Sequence, residues 1–187
     1  MTIIEKYVAF TKKWEGGLSR DKSDSASSYP CPTPYKGKTG YHTNAGITYK
    51  TWVSFFGTDN DARFYLMNSA DWFAVFKKGY WDGVRGDAYN SQNIAVFVTG
   101  MAWGSGARQA IKSLQVAINH CGLQCDVDGL IGPKTILLAN SIEPRKLFDA
   151  LTAERERFFY AIGVGKNAKF LTGWLNRLND YRFTFRP

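Results

Sequence analysis

Residues 19–46 are a run of Ser, Asp, Pro, Gly and Tyr without periodicity, and nearly everything around them is patterned for helices. That contrast restricts the fold more than any other feature. Uncovered loops of this length are uncommon in compact domains and are often functional. A short hairpin fits inside this one, although the sequence does not mark its strands. Before it, Ile3, Tyr7, Phe10 and Trp14 recur at helical spacing, and Ile4 and Val8 widen the apolar stripe. Thr2 and Glu5 have the spacing of a capping box. Gly16-Gly17 is expected to end the helix, since glycine takes the left-handed conformation without steric cost.

Helical patterning resumes at Thr48, with helix starts and acidic first turns expected over 59–64 and 71–78. Tyr80-Trp81-Asp82-Gly83 closes this half. Residues 91–104 are apolar and small, and their length favours a buried helix over a strand. Further helices are expected over 107–121, from Pro133, from Pro144 to about Ile162, and over 170–181. The expected fold class is mainly α, with one long polar loop or small β-hairpin. The expected division is residues 1–90 and 91–187, packed as one globular unit.

Hydrophobic residues make up 44% of the 187 and aromatics 16%, enough to bury a core, so disorder is not the expectation. No apolar run approaches the roughly 18 residues of a membrane span, so stable membrane insertion is not expected. Residues 1–13 lack the basic start, long apolar middle and small-residue cleavage site of a secretory signal. The formal charge of +8 is spread, +3 over residues 1–95 and +5 over 96–187. It contains no basic block of the kind that reads nucleic acid, so no nucleic-acid partner is expected. A basic surface suits solubility and also attraction to a polyanion. Cys31, Cys121 and Cys125 are an odd set; Cys121 and Cys125 with His120 hint at a metal site but lack a fourth ligand at finger-like spacing, so the three read as buried or half-buried free thiols. Asp126-Val-Asp-Gly looks like part of a calcium loop, but the later ligands are absent and a structural turn fits better. No metal and no cofactor is expected.

Glu15 is the first candidate for chemistry. A carboxylate at a helix C-terminus feels the negative end of the helix dipole, and flanking apolar residues desolvate it. Both effects favour the acid form, as a general acid requires. Asp24 follows with eight residues between. Two carboxylates across a cleft are the minimum for glycoside hydrolysis. Asp21 competes for the second role.

Trp14-Glu15-Gly16-Gly17, the polar loop, and Thr43-Asn44-Ala45-Gly46-Ile47-Thr48 resemble the signature of glycoside hydrolase family 108, which includes phage endolysins and secretion-associated muramidases. The second half is similar to the predicted peptidoglycan-binding region that accompanies that family, through Trp103-Gly104-Ser105-Gly106, the stretch from Asp128 to Thr135, and Gly173-Trp174-Leu175-Asn176-Arg177. The resemblance covers nearly the whole chain in order. It implies a lysozyme-like fold that cleaves the β-1,4 bond between N-acetylmuramic acid and N-acetylglucosamine, with inversion by analogy to phage lysozymes. It places Glu15 as the acid, Asp24 as its partner and Thr43 as the threonine that orients water.

Two departures stand out. Eighteen residues separate Asp24 from Thr43, so the chain carries an insertion near 25–41, and Gly100 stands where relatives commonly have an acidic residue. Tyr29, Tyr41, His42 and Asn44 are the candidate sugar contacts, with Tyr35 and Trp52 also considered and Trp52 read as core. The implied partner is the peptidoglycan glycan strand, met by a monomer. The protein would be made in the cytoplasm without a signal peptide, pass through a holin or other export system, and act in the periplasm or cell wall. The competing expectation is a non-catalytic wall-binding or secretion-assisting protein of the same fold.

Overall fold

The computed structural model describes residues 3–187. It divides into two compact units, one ending at Lys77 and the other running from Lys78 to Pro187. The architecture is mainly α, with one small antiparallel sheet of two strands among the described residues.

In the first unit, α1 (Ile3–Trp14) buries Tyr7, Phe10 and Thr11 along one stripe. The capping box expected at Thr2 lies outside the described residues. Helical bonding runs one residue past α1, because the Glu15 amide still donates to the Thr11 carbonyl at 2.8 Å. Gly16 and Gly17 follow, but neither has a positive φ. The left-handed stop expected there is therefore absent. Both glycines are solvent-exposed, with nothing within 4 Å of an added Cβ, so they give the chain an unhindered exit.

The polar stretch resolves into two tight hairpin-like turns. Strands β1 (Thr43–Asn44) and β2 (Ile47–Thr48) pair Thr43 with Thr48 and Asn44 with Ile47. Between them Ala45 and Gly46 both have positive φ, 47° and 78°, the pattern of the favoured two-residue hairpin turn. Ser19 bridges to Thr43 and extends the pairing by one residue. Inside the insertion, Lys36 and Gly37 repeat the positive-φ pair, and Tyr35 and Lys38 exchange backbone bonds of 2.8 and 3.0 Å.

Three short helices complete the unit: α2 (Tyr49–Phe56), α3 (Asp61–Tyr65) and α4 (Ser69–Phe76). Thr48 caps α2 through a bond from the Thr51 amide, and Asn68 with Asp71 forms a capping box on α4. Tyr7, Trp52, Phe64, Trp72 and Phe76 are essentially inaccessible and form the core. Emptying one such Phe or Trp to Ala costs about 3–5 kcal/mol.

The second unit is helical. Its helices are α5 (Gln92–Ser105), α6 (Ala107–His120), α7 (Pro133–Ser141), α8 (Pro144–Ile162) and α9 (Ala168–Phe185). Helix α5 is apolar nearly all round because it packs against both α6 and α8. The break before Lys78 falls earlier than the boundary at 90 read from the sequence. The reason is that Trp81 and Val84 are buried and the turns Asp82–Val84 and Gly86–Ala88 lie against α5. Tyr80-Trp81-Asp82-Gly83 thus opens the second unit instead of closing the first.

The later motifs of the sequence have local structural explanations. Gly104 leaves room for Arg155, whose guanidinium lies 3.0 Å from an added Cβ, and Ser105 accepts a 3.0 Å bond from the same guanidinium. The turn at Asp126–Gly129 is clasped by buried Gln115, which donates to Asp128 at 2.8 Å and to the Leu130 carbonyl at 3.1 Å, and accepts from the Gly129 amide at 2.9 Å. Trp174 stacks on Phe159 and Phe170, so it belongs to packing. Cys31 and Cys125 are buried, Cys121 is half-buried, and all three are free thiols. Among the described residues no helix is long and apolar enough to cross a membrane.

Candidate active site

Glu15 leaves the end of α1 half-buried and meets the β1–β2 turn. A Cβ built on Gly46 would lie 2.6 Å from Glu15 Oε2 and 2.8 Å from its Cδ. The carboxyl therefore rests directly on the bare Cα of Gly46, a place open only to glycine. The turn under it is held from the other side, because the Trp72 indole donates to the Ala45 carbonyl at 3.0 Å. Trp72 is fully buried on α4, so a core residue fixes the platform on which Glu15 sits.

Asp24 is exposed and caps the single helical turn Ser25–Ser28, with Oδ1 accepting from the Ala26 amide at 2.9 Å. Among the described residues its Oδ2 makes no hydrogen bond. Asp21, the competitor, folds its carboxylate back onto its own loop, where Oδ1 accepts from the Ser23 amide at 2.8 Å and the Ser23 hydroxyl at 2.7 Å. Asp21 Oδ1 is thus engaged twice within its own loop, whereas Asp24 Oδ1 accepts a single amide. Thr43 is half-buried at the start of β1, three residues before Gly46.

The remaining candidates divide. Tyr29 is 42% exposed and stacks on Tyr49 at 5.8 Å, which leaves ring surface for a ligand. Tyr41 is half-buried, edge-on to Tyr35 and Tyr65, with the Arg20 guanidinium 5.1 Å over its ring. Asn44 spends its amide on the Phe64 carbonyl at 2.7 Å and so ties the hairpin to α3. His42 is only 1% exposed, with both ring nitrogens engaged inside the fold, so it is not placed to touch a glycan directly. Trp52 is core.

The insertion is fastened to α2 and α3 by polar contacts. Tyr49 donates to Asp61 Oδ1, Thr33 donates to Asp61 Oδ2 at 3.3 Å, and Tyr65 donates to the Thr33 carbonyl at 2.5 Å. Burial first, and then the bond to Asp61, hold the Tyr49 phenol well above its usual range, so it remains a donor at any ordinary pH. Cys31 lies buried beside this network and bonds backbone-to-backbone with Tyr41 at 2.7 Å.

Sequence reasoning did not single out Gly46 or Trp72 as parts of the site. The signal for Gly46 was present in Thr-Asn-Ala-Gly-Ile-Thr, a two-residue turn between short β-forming pairs. Nothing in the sequence marks Trp72, whose role depends on a contact 27 residues away.

A separate surface lies within Lys78–Pro187. Arg85, Pro133, Lys134, Ile136, Leu137 and Asn140 line a groove of about 460 Å³. Leu137 is 70% exposed on its wall. Asn140 is fixed there by bonds to the Asn90 amide and the Ala88 carbonyl, and the Arg85 side chain makes no ion pair or hydrogen bond within the described residues.

Residues 8–106 match the family model described as glycosyl hydrolase 108, and residues 109–179 match one described as a predicted peptidoglycan domain. Among curated protein sequences none matches the chain significantly. The chain is similar in fold to the solved structure of Brucella abortus SagA, with a TM-score of 0.74 at 23% identity over 97% of this chain and 94% of that one. The two family models tie the chain to peptidoglycan, as a hydrolase or a binder of that polymer. The first model spans more than half of the sequence, including Glu15, Asp24, Thr43 and the hairpin, and the chain belongs to the glycosyl hydrolase 108 family.

Proposed function

We propose that the protein is an N-acetylmuramidase, cleaving the β-1,4 bond between N-acetylmuramic acid and N-acetylglucosamine in peptidoglycan. The observation that carries this reading is the seat of Glu15. A helix-end carboxyl is pressed on a glycine turn that a buried tryptophan braces, so its position is set by the fold. Glu15 gives its proton to the glycosidic oxygen as the bond breaks. Ionised Asp24, through its unoccupied oxygen, stabilises positive charge at the sugar carbon or orients water. Thr43 helps to place that water. Tyr29 offers an aromatic face to a pyranose ring, and Tyr41, with the Arg20 guanidinium over its ring, is a second candidate contact. The groove of the second unit takes the anionic peptide stems of the polymer, since its apolar walls carry Arg85 and Lys134 and no acidic residue lines it. The protein works on the periplasmic or wall side of the cell.

The test compares wild type with Glu15→Gln on purified peptidoglycan, recording product masses and new reducing ends. Reducing-end muramic acid from wild type, with the variant reduced by about 100-fold or more, supports the assignment. Full activity in the variant would sink it. Binding without cleavage by wild type would leave a wall-binding protein.

A further inference from the structure

His42 is buried in the middle of the site without facing it. Its backbone is clamped on both sides: its amide donates to the Ser19 carbonyl at 3.1 Å, and its carbonyl accepts from the Tyr49 amide at 2.8 Å. Its ring is pinned as well. Nε2 lies 3.1 Å from the Asp21 carbonyl oxygen, and Nδ1 lies 3.1 Å from Thr43 Oγ1.

These two contacts determine where the hydrogens are. A backbone carbonyl can only accept, so Nε2 carries the ring hydrogen. In the neutral ring Nδ1 is then bare and can only accept. The hydrogen in the second contact must come from the Thr43 hydroxyl. Thr43 Oγ1 makes no other hydrogen bond among the described residues, and with its hydrogen committed to His42 it meets any further partner as an acceptor.

We propose that His42 is a positioning residue for the glycosidase reaction, holding the Thr43 hydroxyl in the one polarity that accepts a hydrogen bond from the attacking water. A free threonine hydroxyl would rotate between donating to that water and accepting from it. Donation would tie up the lone pair the water needs for attack. Acceptance leaves that lone pair available to the sugar carbon. His42 selects acceptance and takes no proton itself. The same ring bonds the Asp21 carbonyl, three residues before Asp24, so it ties the loop that carries the second carboxylate to the strand that carries Thr43. The inference rests on the reading of Thr43 given above.

The two ring contacts can be separated by substitution. His42→Asn puts an amide oxygen near the place of Nδ1, keeping an acceptor for Thr43 and giving up the Asp21 bond. His42→Gln puts an amide nitrogen near the place of Nε2, keeping the Asp21 bond and removing the acceptor. With soluble glycan strands as substrate, kcat should stay within a few-fold of wild type for the Asn variant. It should fall by about 10- to 100-fold for the Gln variant, with KM little changed and thermal melting confirming that both fold. In a Thr43→Ala background, His42→Gln should have almost no further effect on kcat, since the two residues act as one unit.

A Gln variant as active as wild type would overturn the proposal. So would equal losses in both variants that track a lowered melting temperature, which is the behaviour of a loop anchor. An undiminished cost of His42→Gln in the Thr43→Ala background would also overturn it. Failure of the underlying reading has a different signature: Thr43→Ala alone would keep full activity, or Glu15→Gln would.

Discussion

Replacing Gly46 by Ala should disable the site at a cost in stability too small to unfold the protein. The new Cβ would stand 2.6 Å from Glu15 Oε2, 2.8 Å from Cδ and 2.9 Å from Cγ, whereas ordinary van der Waals contact begins at 3.4 Å. The carboxyl must therefore retreat by about 0.8 Å, since the turn beneath it is braced by Trp72. A displacement of that size at a catalytic group costs on the order of 100-fold in rate. Backbone strain adds a separate effect, because φ at this position is +78° and an L-residue there costs about 1–2 kcal/mol of stability. Gly37→Ala isolates that second effect. Its φ is +76°, it follows a positive-φ residue as Gly46 does, and nothing lies within 4 Å of its Cβ. Both variants should lower the melting temperature by similar amounts. Release of reducing ends from purified peptidoglycan should collapse only for Gly46→Ala. Equal activity of the two variants would refute the claim that the seat of the Glu15 carboxyl controls the chemistry.

Two further outcomes follow from the second unit. Reversing the groove charges with Arg85→Glu and Lys134→Glu should weaken co-sedimentation with intact peptidoglycan several-fold and make the residual binding less sensitive to salt, while cleavage of short soluble glycans stays at the wild-type rate. Asp128 is held below its ordinary value of 3.8, first by the Leu130 amide and then by the Gln115 side chain. Its folded-state affinity for protons is lowered, so its contribution to stability is complete above the unfolded value and is lost as pH falls through and below that value. Urea midpoints for wild type and Asp128→Asn should therefore differ near neutral pH and draw together as the medium is made acidic through and below the ordinary carboxylate range.

Helix periodicity carried most of the architecture. The apolar stripe of α1, the all-round apolar character of α5 and the prolines that open α7 and α8 are local signals, and local signals survive in a single sequence. The helix-end position of Glu15 was legible for the same reason, since it follows a clear stripe. What escaped were features set by contacts distant in the chain. The end of α1 looked like a left-handed glycine stop, yet the two glycines there follow an ordinary path. His42 and Asn44 sit in a polar stretch and read as ligand contacts, but the fold uses both side chains internally, on Asp21, Thr43 and Phe64. The turn from Trp81 to Ala88 read as the end of one region because its partners on α5 come later in the chain.

The insertion between Asp24 and Thr43 has one more consequence. Its side chains bury little apart from Cys31, and its shape depends on phenols and a carboxylate belonging to α2 and α3. A segment that buries so little is expected to open locally unless its anchors hold it. Substitutions that release Asp61 and Tyr65 should therefore speed hydrogen exchange at the Cys31 and Lys38 amides together with the amides of the five-residue helix α3. A chain that lengthens a loop in this way ties the order of the addition to side chains on the helices beside it.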